Sequence, residues 1–131
     1  VKRFRDFGDH VGMAFQITDD LFDFVGDPAS TGKGVGGDLE SGKITLPLIH
    51  ALTTGGKDGK RVAALIEKKR LDPAEWTELV GILERNGSIA YATDRAQNYA
   101  KKARRALAPE PASPIKDALD ASVSYAIARL S

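Results

Sequence analysis

Three carboxylates fall within five residues of an otherwise apolar stretch, Phe15-Gln16-Ile17-Thr18-Asp19-Asp20-Leu21-Phe22-Asp23-Phe24-Val25. On a helix, Asp19 and Asp23 stand one turn apart on a shared face, Asp20 lies beside that face, and Gln16 stacks one turn earlier. Met13, Ala14, Phe15, Ile17, Leu21, Phe22, Phe24 and Val25 cover most of the remaining circumference, which predicts a central helix in a bundle. Bare carboxylates in such surroundings cost several kcal/mol each. A hard divalent cation offsets that cost. An all-oxygen ligand set that keeps some waters suits Mg²⁺, above all when phosphate supplies the remaining oxygens. A lone Asp-Asp pair would read as a helix cap or a solvated face, but the third Asp, the Gln and the apolar setting favour the cation. A calcium loop does not fit, because the acidic residues do not alternate around a central glycine.

After the acidic stretch comes Gly26-Asp27-Pro28-Ala29-Ser30-Thr31-Gly32-Lys33-Gly34-Val35-Gly36-Gly37-Asp38-Leu39-Glu40-Ser41-Gly42-Lys43, composed for backbone freedom and close approach. A nucleotide P-loop is excluded. The spacing from Gly26 to Gly32 has one residue too many, Gly34 stands where a metal-binding Ser or Thr belongs, and a helix rather than a strand precedes. Lys33 and Lys43 are instead placed to reach back, as point charges on long stems, to a diphosphate held by metal at the aspartates. Taken alone, each would be a solvated surface lysine.

Helices must position these residues, because alternating β-branched runs do not occur and Ala-, Leu- and Lys-rich stretches are punctuated by helix caps. The class is all-α. The first helix is expected from near the start to Val25, where Gly26 and Pro28 stop it. A loop should continue through Gly42, and Pro47 fits the first turn of a helix over 48–52. A short helix over 61–69 carries Val62, Leu65 and Ile66. Asp72-Pro73-Ala74-Glu75 is a capping box with Pro at the first helical position, ahead of Trp76, Leu79, Val80 and Leu83. Gly87-Ser88 opens a helix whose Ile89, Ala92, Ala96, Tyr99, Ala103 and Leu107 keep the period, and Ser113-Pro114 caps the last helix, with Leu119, Val123, Ile127 and Leu130. One domain, or part of one, is expected over residues 1–131.

Composition narrows the partners. With 19 Lys+Arg against 18 Asp+Glu, no overall field draws the chain to nucleic acid or acidic lipid, so anion recognition must be local. The run Lys101-Lys102-Ala103-Arg104-Arg105 lacks interleaved aromatics and reads as a solvated helix face. His10 and His50 are 40 positions apart with no partner at ligand spacing, and both read as packing or surface histidines. The absence of cysteine excludes disulfides and thiolate sites and fits a cytoplasmic protein. No apolar run reaches the roughly 18 to 20 residues of a membrane span. The chain opens on Val1 inside helical spacing, so an upstream segment is expected.

Taken together, Phe15-Gln16-Ile17-Thr18-Asp19-Asp20-Leu21-Phe22-Asp23, the Thr31-Gly32-Lys33 loop, Asp38-Leu39 and Gly42-Lys43-Ile44-Thr45-Leu46-Pro47-Leu48-Ile49 resemble the trans-isoprenyl diphosphate synthases. The segment from Lys33 to Ile49 is most similar to bacterial medium- and long-chain, octaprenyl-type synthases, and residues 87–131 resemble the family's last two helices. The resemblance implies the C-terminal helices of the isoprenoid synthase bundle. It also implies a second aspartate-rich motif that holds Mg²⁺ around an allylic diphosphate, which isopentenyl diphosphate then attacks. Asp19, Asp20 and Asp23 would then serve metal directly or through water, with Gln16 and Asp38 supporting that shell. Lys33 and Lys43 would bind diphosphate oxygens, and Phe15 would line the hydrocarbon side.

The first aspartate-rich motif, the upstream basic residues and the family's Lys-Thr pair have no match here. A full family member is more than twice as long and dimerises with a second copy. The expectation is therefore a C-terminal part, inactive in elongation by itself. A non-catalytic helical small subunit is the alternative, against which the intact acidic residues argue. A terpene cyclase would carry Asn or Ser with Glu where Asp19-Asp20-Leu21-Phe22-Asp23 stands.

Overall fold

The computed structural model describes residues 2–25, 37–54 and 56–130, and all regular structure among them is helical. Helix α1 (Lys2–Val25) is followed by the short α2 (Gly37–Glu40), then α3 (Leu46–Thr54), α4 (Lys57–Lys68), α5 (Pro73–Arg85), α6 (Ser88–Leu107) and α7 (Pro114–Ile127), which ends in a 3-10 turn, Ala128–Leu130. The all-α expectation holds. Three boundaries differ from those that periodicity predicts. Helix α3 runs a residue or two further at each end. Helix α4 starts a turn early, because Lys57, Asp58 and Lys60 carry no apolar repeat that could announce it. Gly59 in that early turn is buried, and a Cβ there would lie 3.0 Å from the Ala51 carbonyl oxygen, so α3 and α4 approach closely.

The third difference is α2, which forms inside the stretch expected to remain loop through Gly42. Leu39 is 2% exposed, and its burial draws one helical turn out of a glycine-rich segment. The turn ends at Gly42, whose φ of +84° suits a residue without a side chain and whose N–H donates to the Leu39 carbonyl at 3.0 Å.

Contacts divide the chain into two compact units, Asp19–Ala92 and the pair of segments Val1–Thr18 with Thr93–Ser131. In the first, Leu39, Leu48, Val62, Leu65, Leu79 and Leu83 form an aliphatic core on which Trp76 packs. Fully burying each such side chain contributes roughly 1.5–3 kcal/mol. In the second, Phe7, Ala14, Ala100, Ala103, Leu107 and Val123 form a smaller core. Local signals act as spacing predicts. Asp72 accepts the Glu75 N–H at 2.7 Å while Glu75 accepts the Asp72 N–H at 3.2 Å, and Ser113 accepts the Lys116 N–H at 3.1 Å. None of the described helices is long and apolar enough to cross a membrane.

Candidate functional site

The acidic residues occupy the last two turns of α1, where Leu21 and Phe24 are buried and fix the helix by its apolar stripe. Asp20 is 6% exposed and Asp23 1%. Their partners come from α2 and the segment behind it. The Asp38 N–H donates to Asp23 Oδ1 at 3.3 Å, and a Cβ on Gly37 would come within 4.0 Å of the same oxygen. Lys43 Nζ donates to Asp20 Oδ1 at 2.7 Å. Two further donors, the Lys43 N–H at 2.9 Å and the Ser41 hydroxyl at 2.8 Å, converge on the Asp38 carbonyl and hold the turn that carries the lysine.

The lysine is where the acidic charges converge. Its hydrogen bond to Asp20 holds the ammonium above the usual lysine range against partial desolvation, and the charges of Asp20, Asp38 and Asp19 add to the effect. The Asp20 side chain is 9% exposed and that of Lys43 44%, so the carboxylate is sheltered while its counter-ion remains within reach of solvent. A cation already sits where three carboxylates direct their field.

Two buried oxygens of α2 and the segment behind it lack a hydrogen-bond partner among the described residues, Asp38 Oδ2 and Thr45 Oγ1. Leaving such atoms unsatisfied costs about 1–3 kcal/mol, which a bound ion or water removes. Thr45 was not among the residues singled out from sequence. Its carbonyl accepts the Ile49 N–H at 3.0 Å, so it stands at the cap of α3, and Pro47 removes one of the N–H groups its hydroxyl would otherwise accept. Thr two residues before Pro was the available signal.

The other expected residues are less buried. Gln16 is exposed, Phe15 is 45% exposed and Met13 40%, so α1 is covered along the stripe Ala14, Ile17, Leu21 and Phe24 rather than around its circumference. Asp19 is half-buried. Lys33 and its glycine loop, residues 26–36, lie outside the described residues. Among those described, no three acidic or histidine side chains close on one point to cage a metal ion unaided. Asp20 accepts from Lys43, and Asp23 accepts from the Asp38 N–H. Mg²⁺ ordinarily takes one or two carboxylates and completes its shell with water and phosphate oxygens. The oxygen-only donors and the orphaned Asp38 Oδ2 fit a hard cation arriving with a phosphate ligand.

His50 and Arg104 have partners elsewhere in the fold. His50 Nδ1 lies 2.8 Å from Ser88 Oγ and its ring stacks on Tyr91, with centroids 4.4 Å apart. Lys101, Lys102 and Arg105 are exposed on α6, and Arg104 pairs with Asp120 at 3.1 Å.

Comparison with known proteins identifies the family. The family model described as polyprenyl synthetase matches residues 1–83. A nonaprenyl diphosphate synthase of Mycobacterium tuberculosis is 38% identical over 129 residues, covering 98% of this chain and 38% of its own length. A polyprenyl synthase of Caulobacter crescentus, solved with calcium and isoprenyl diphosphate, superposes with a TM-score of 0.86 at 31% identity, over 99% of this chain and 40% of its own. A geranylgeranyl pyrophosphate synthase of Corynebacterium glutamicum, solved with isoprenyl diphosphate and magnesium, gives 0.84 at 25% identity, over 98% of this chain and 37% of its own. The chain belongs to the polyprenyl synthetase family. It spans about two fifths of the length of the relatives it matches.

Proposed function

We propose that this chain is the diphosphate-binding C-terminal portion of a cytoplasmic, homodimeric trans-prenyltransferase. That enzyme would join an allylic diphosphate head-to-tail with isopentenyl diphosphate to lengthen a polyprenyl diphosphate. The observation that carries the reading is the Asp20–Lys43 pair at 2.7 Å, in which a sheltered carboxylate and an accessible ammonium stand together beside the buried Asp23. A site that must hold both a cation and a polyanion needs both signs of charge within one side-chain length.

In the reaction the allylic carbon–oxygen bond breaks and its electron pair leaves with diphosphate. The alkene of isopentenyl diphosphate then supplies the pair for the new carbon–carbon bond, and a proton is lost from the adduct. A divalent cation, Mg²⁺ in this proposal, would be held by Asp19, Asp20 and Asp23 with Gln16 and Asp38 in support, and would supply charge neutralisation for the departing diphosphate. Lys43 would bind the oxygens of that diphosphate, joined by Lys33. The exposed Phe15 would face the hydrocarbon and help exclude water from the cation. The Asp38 N–H bonded to Asp23 keeps that carboxylate oriented.

Calorimetric titration of this chain with inorganic pyrophosphate tests the site directly. Saturable heat is expected only with MgCl₂ present, and Asp20→Asn or Lys43→Met should each weaken binding roughly tenfold. An isotherm indifferent to both magnesium and Asp20→Asn would sink the assignment. Elongation assayed after mixing the chain with a separately expressed upstream half of a family member tests the chemistry, and there Asp19→Ala should abolish the product.

A further inference from the structure

A cleft in the unit Asp19–Ala92, lined by none of Asp19, Asp20, Asp23, Asp38 and Lys43, has the features of a second binding site. Its volume is about 330 Å³, within the range of small-molecule pockets. Leu39, Leu71, Pro73 and Trp76 give it apolar walls. The indole is set before any ligand arrives, because it stacks on Phe24 with centroids 5.6 Å apart and planes 8° from parallel. Thr77 also lines the cleft, but its hydroxyl donates to the Pro73 carbonyl at 3.0 Å, so the wall offers no spare donor there.

Charge enters at the rim. Glu40 lies 3.7 Å from Arg70, while Lys69 has no carboxylate within ion-pair distance among the described residues. Of the two charged residues that line the cleft, Lys69 is the one without an ion-pair partner among the described residues, so the lysine is the cation free to meet a ligand. Lys69 also has an unusual backbone, with φ +62° and ψ −46°, and the Arg70 N–H donates to the Lys68 carbonyl at 2.6 Å across it. That is a γ-turn of the rare, strained kind, in a conformation that side-chain-bearing residues seldom adopt. Strain of this sort, held at the lip of a cavity, is an observed outlier that points to use.

We propose that this cleft binds a compact apolar molecule bearing one negative charge, such as an aryl-substituted or branched alkyl carboxylate, with its body against Trp76 and its carboxylate on Lys69. The inference is independent of the reading of the Asp20–Lys43 site.

Trp76 is the chain's single tryptophan, so its emission reports the cleft without a label. Titration with 4-phenylbutanoate should give a saturable change in that emission, and the uncharged 4-phenylbutan-1-ol should bind about tenfold more weakly. Lys69→Gly should relieve the strained turn without disturbing the fold. In that variant the acid should bind no better than the alcohol. A non-saturable response, equal affinity for acid and alcohol in the unaltered chain, or a Lys69→Gly variant that still prefers the acid would each overturn the proposal.

Discussion

In the unit Asp19–Ala92 the fully buried side chains are chiefly leucines and a valine, whereas in the unit joining Val1–Thr18 to Thr93–Ser131 alanines 14, 96, 100, 103 and 126 share the interior with Phe7, Ile17, Leu107 and Val123. The buried polar residues divide in the same way. Asp20, Asp23, Thr45 and Ser88 belong to the leucine-rich unit, and the other holds Thr18, whose hydroxyl is satisfied by the Ala14 carbonyl at 2.8 Å. The unit that buries carboxylates is the one with large aliphatic groups to offset their desolvation. The alanine-lined unit leaves large groups such as Ile115 and Tyr125 70% and 73% exposed.

If the two interiors differ in this way, they should break in opposite directions. Leu79→Ala, at a site with no exposure, should cost about 3 kcal/mol of unfolding free energy by opening a cavity. Ala100→Leu, at 1% exposure, should cost about 2 kcal/mol through overpacking, although it adds apolar surface. Urea denaturation of both variants checks the pair, and a neutral or stabilising Ala100→Leu would show that the alanine interior is loose rather than tight.

The ion pair sharpens the comparison further. Lys43→Met leaves a sheltered carboxylate without its cation and should cost about 1–2 kcal/mol, a figure discounted for the lysine's exposure. Asp20→Asn frees a lysine that can turn to water and should cost less than about 1 kcal/mol. The reverse order in equilibrium unfolding would mean that Asp20 is more hydrated than its burial indicates.

The smallest effect lies in alkaline solution. Because Asp20 raises Lys43 above its ordinary range, the pair's contribution is fully present below the unfolded lysine value of 10.5 and is lost as pH rises through the higher folded value. Stability owed to this pair should therefore be flat through neutral pH. It should decline only at strongly alkaline pH, more steeply in the unaltered chain than in Asp20→Asn.

Much of this was legible in the residues themselves. The capping box at Asp72 and Glu75, the cap at Ser113 and the acidic turns of α1 all depend on partners within a few positions, and helical spacing translates such distances directly into contacts. A periodicity count, however, predicts cover over most of the circumference of α1 outside the acidic face, because it registers that Met13 and Phe15 are apolar without registering what lies opposite them. It also passed over α2, whose single turn exists because Leu39 has a core to enter, and it gave no role to Thr45.

Tertiary structure alone decided which carboxylate Lys43 would meet. Asp19 and Asp20 are neighbours in sequence, yet they point about 100° apart around the helix. The choice between them depends on where a chain segment 23 residues away returns. The strained turn at Lys69 and the cleft beneath it arose in the same way. Local order is set by side chains that meet their own near neighbours, whereas a site is set by segments brought together only when their cores are buried.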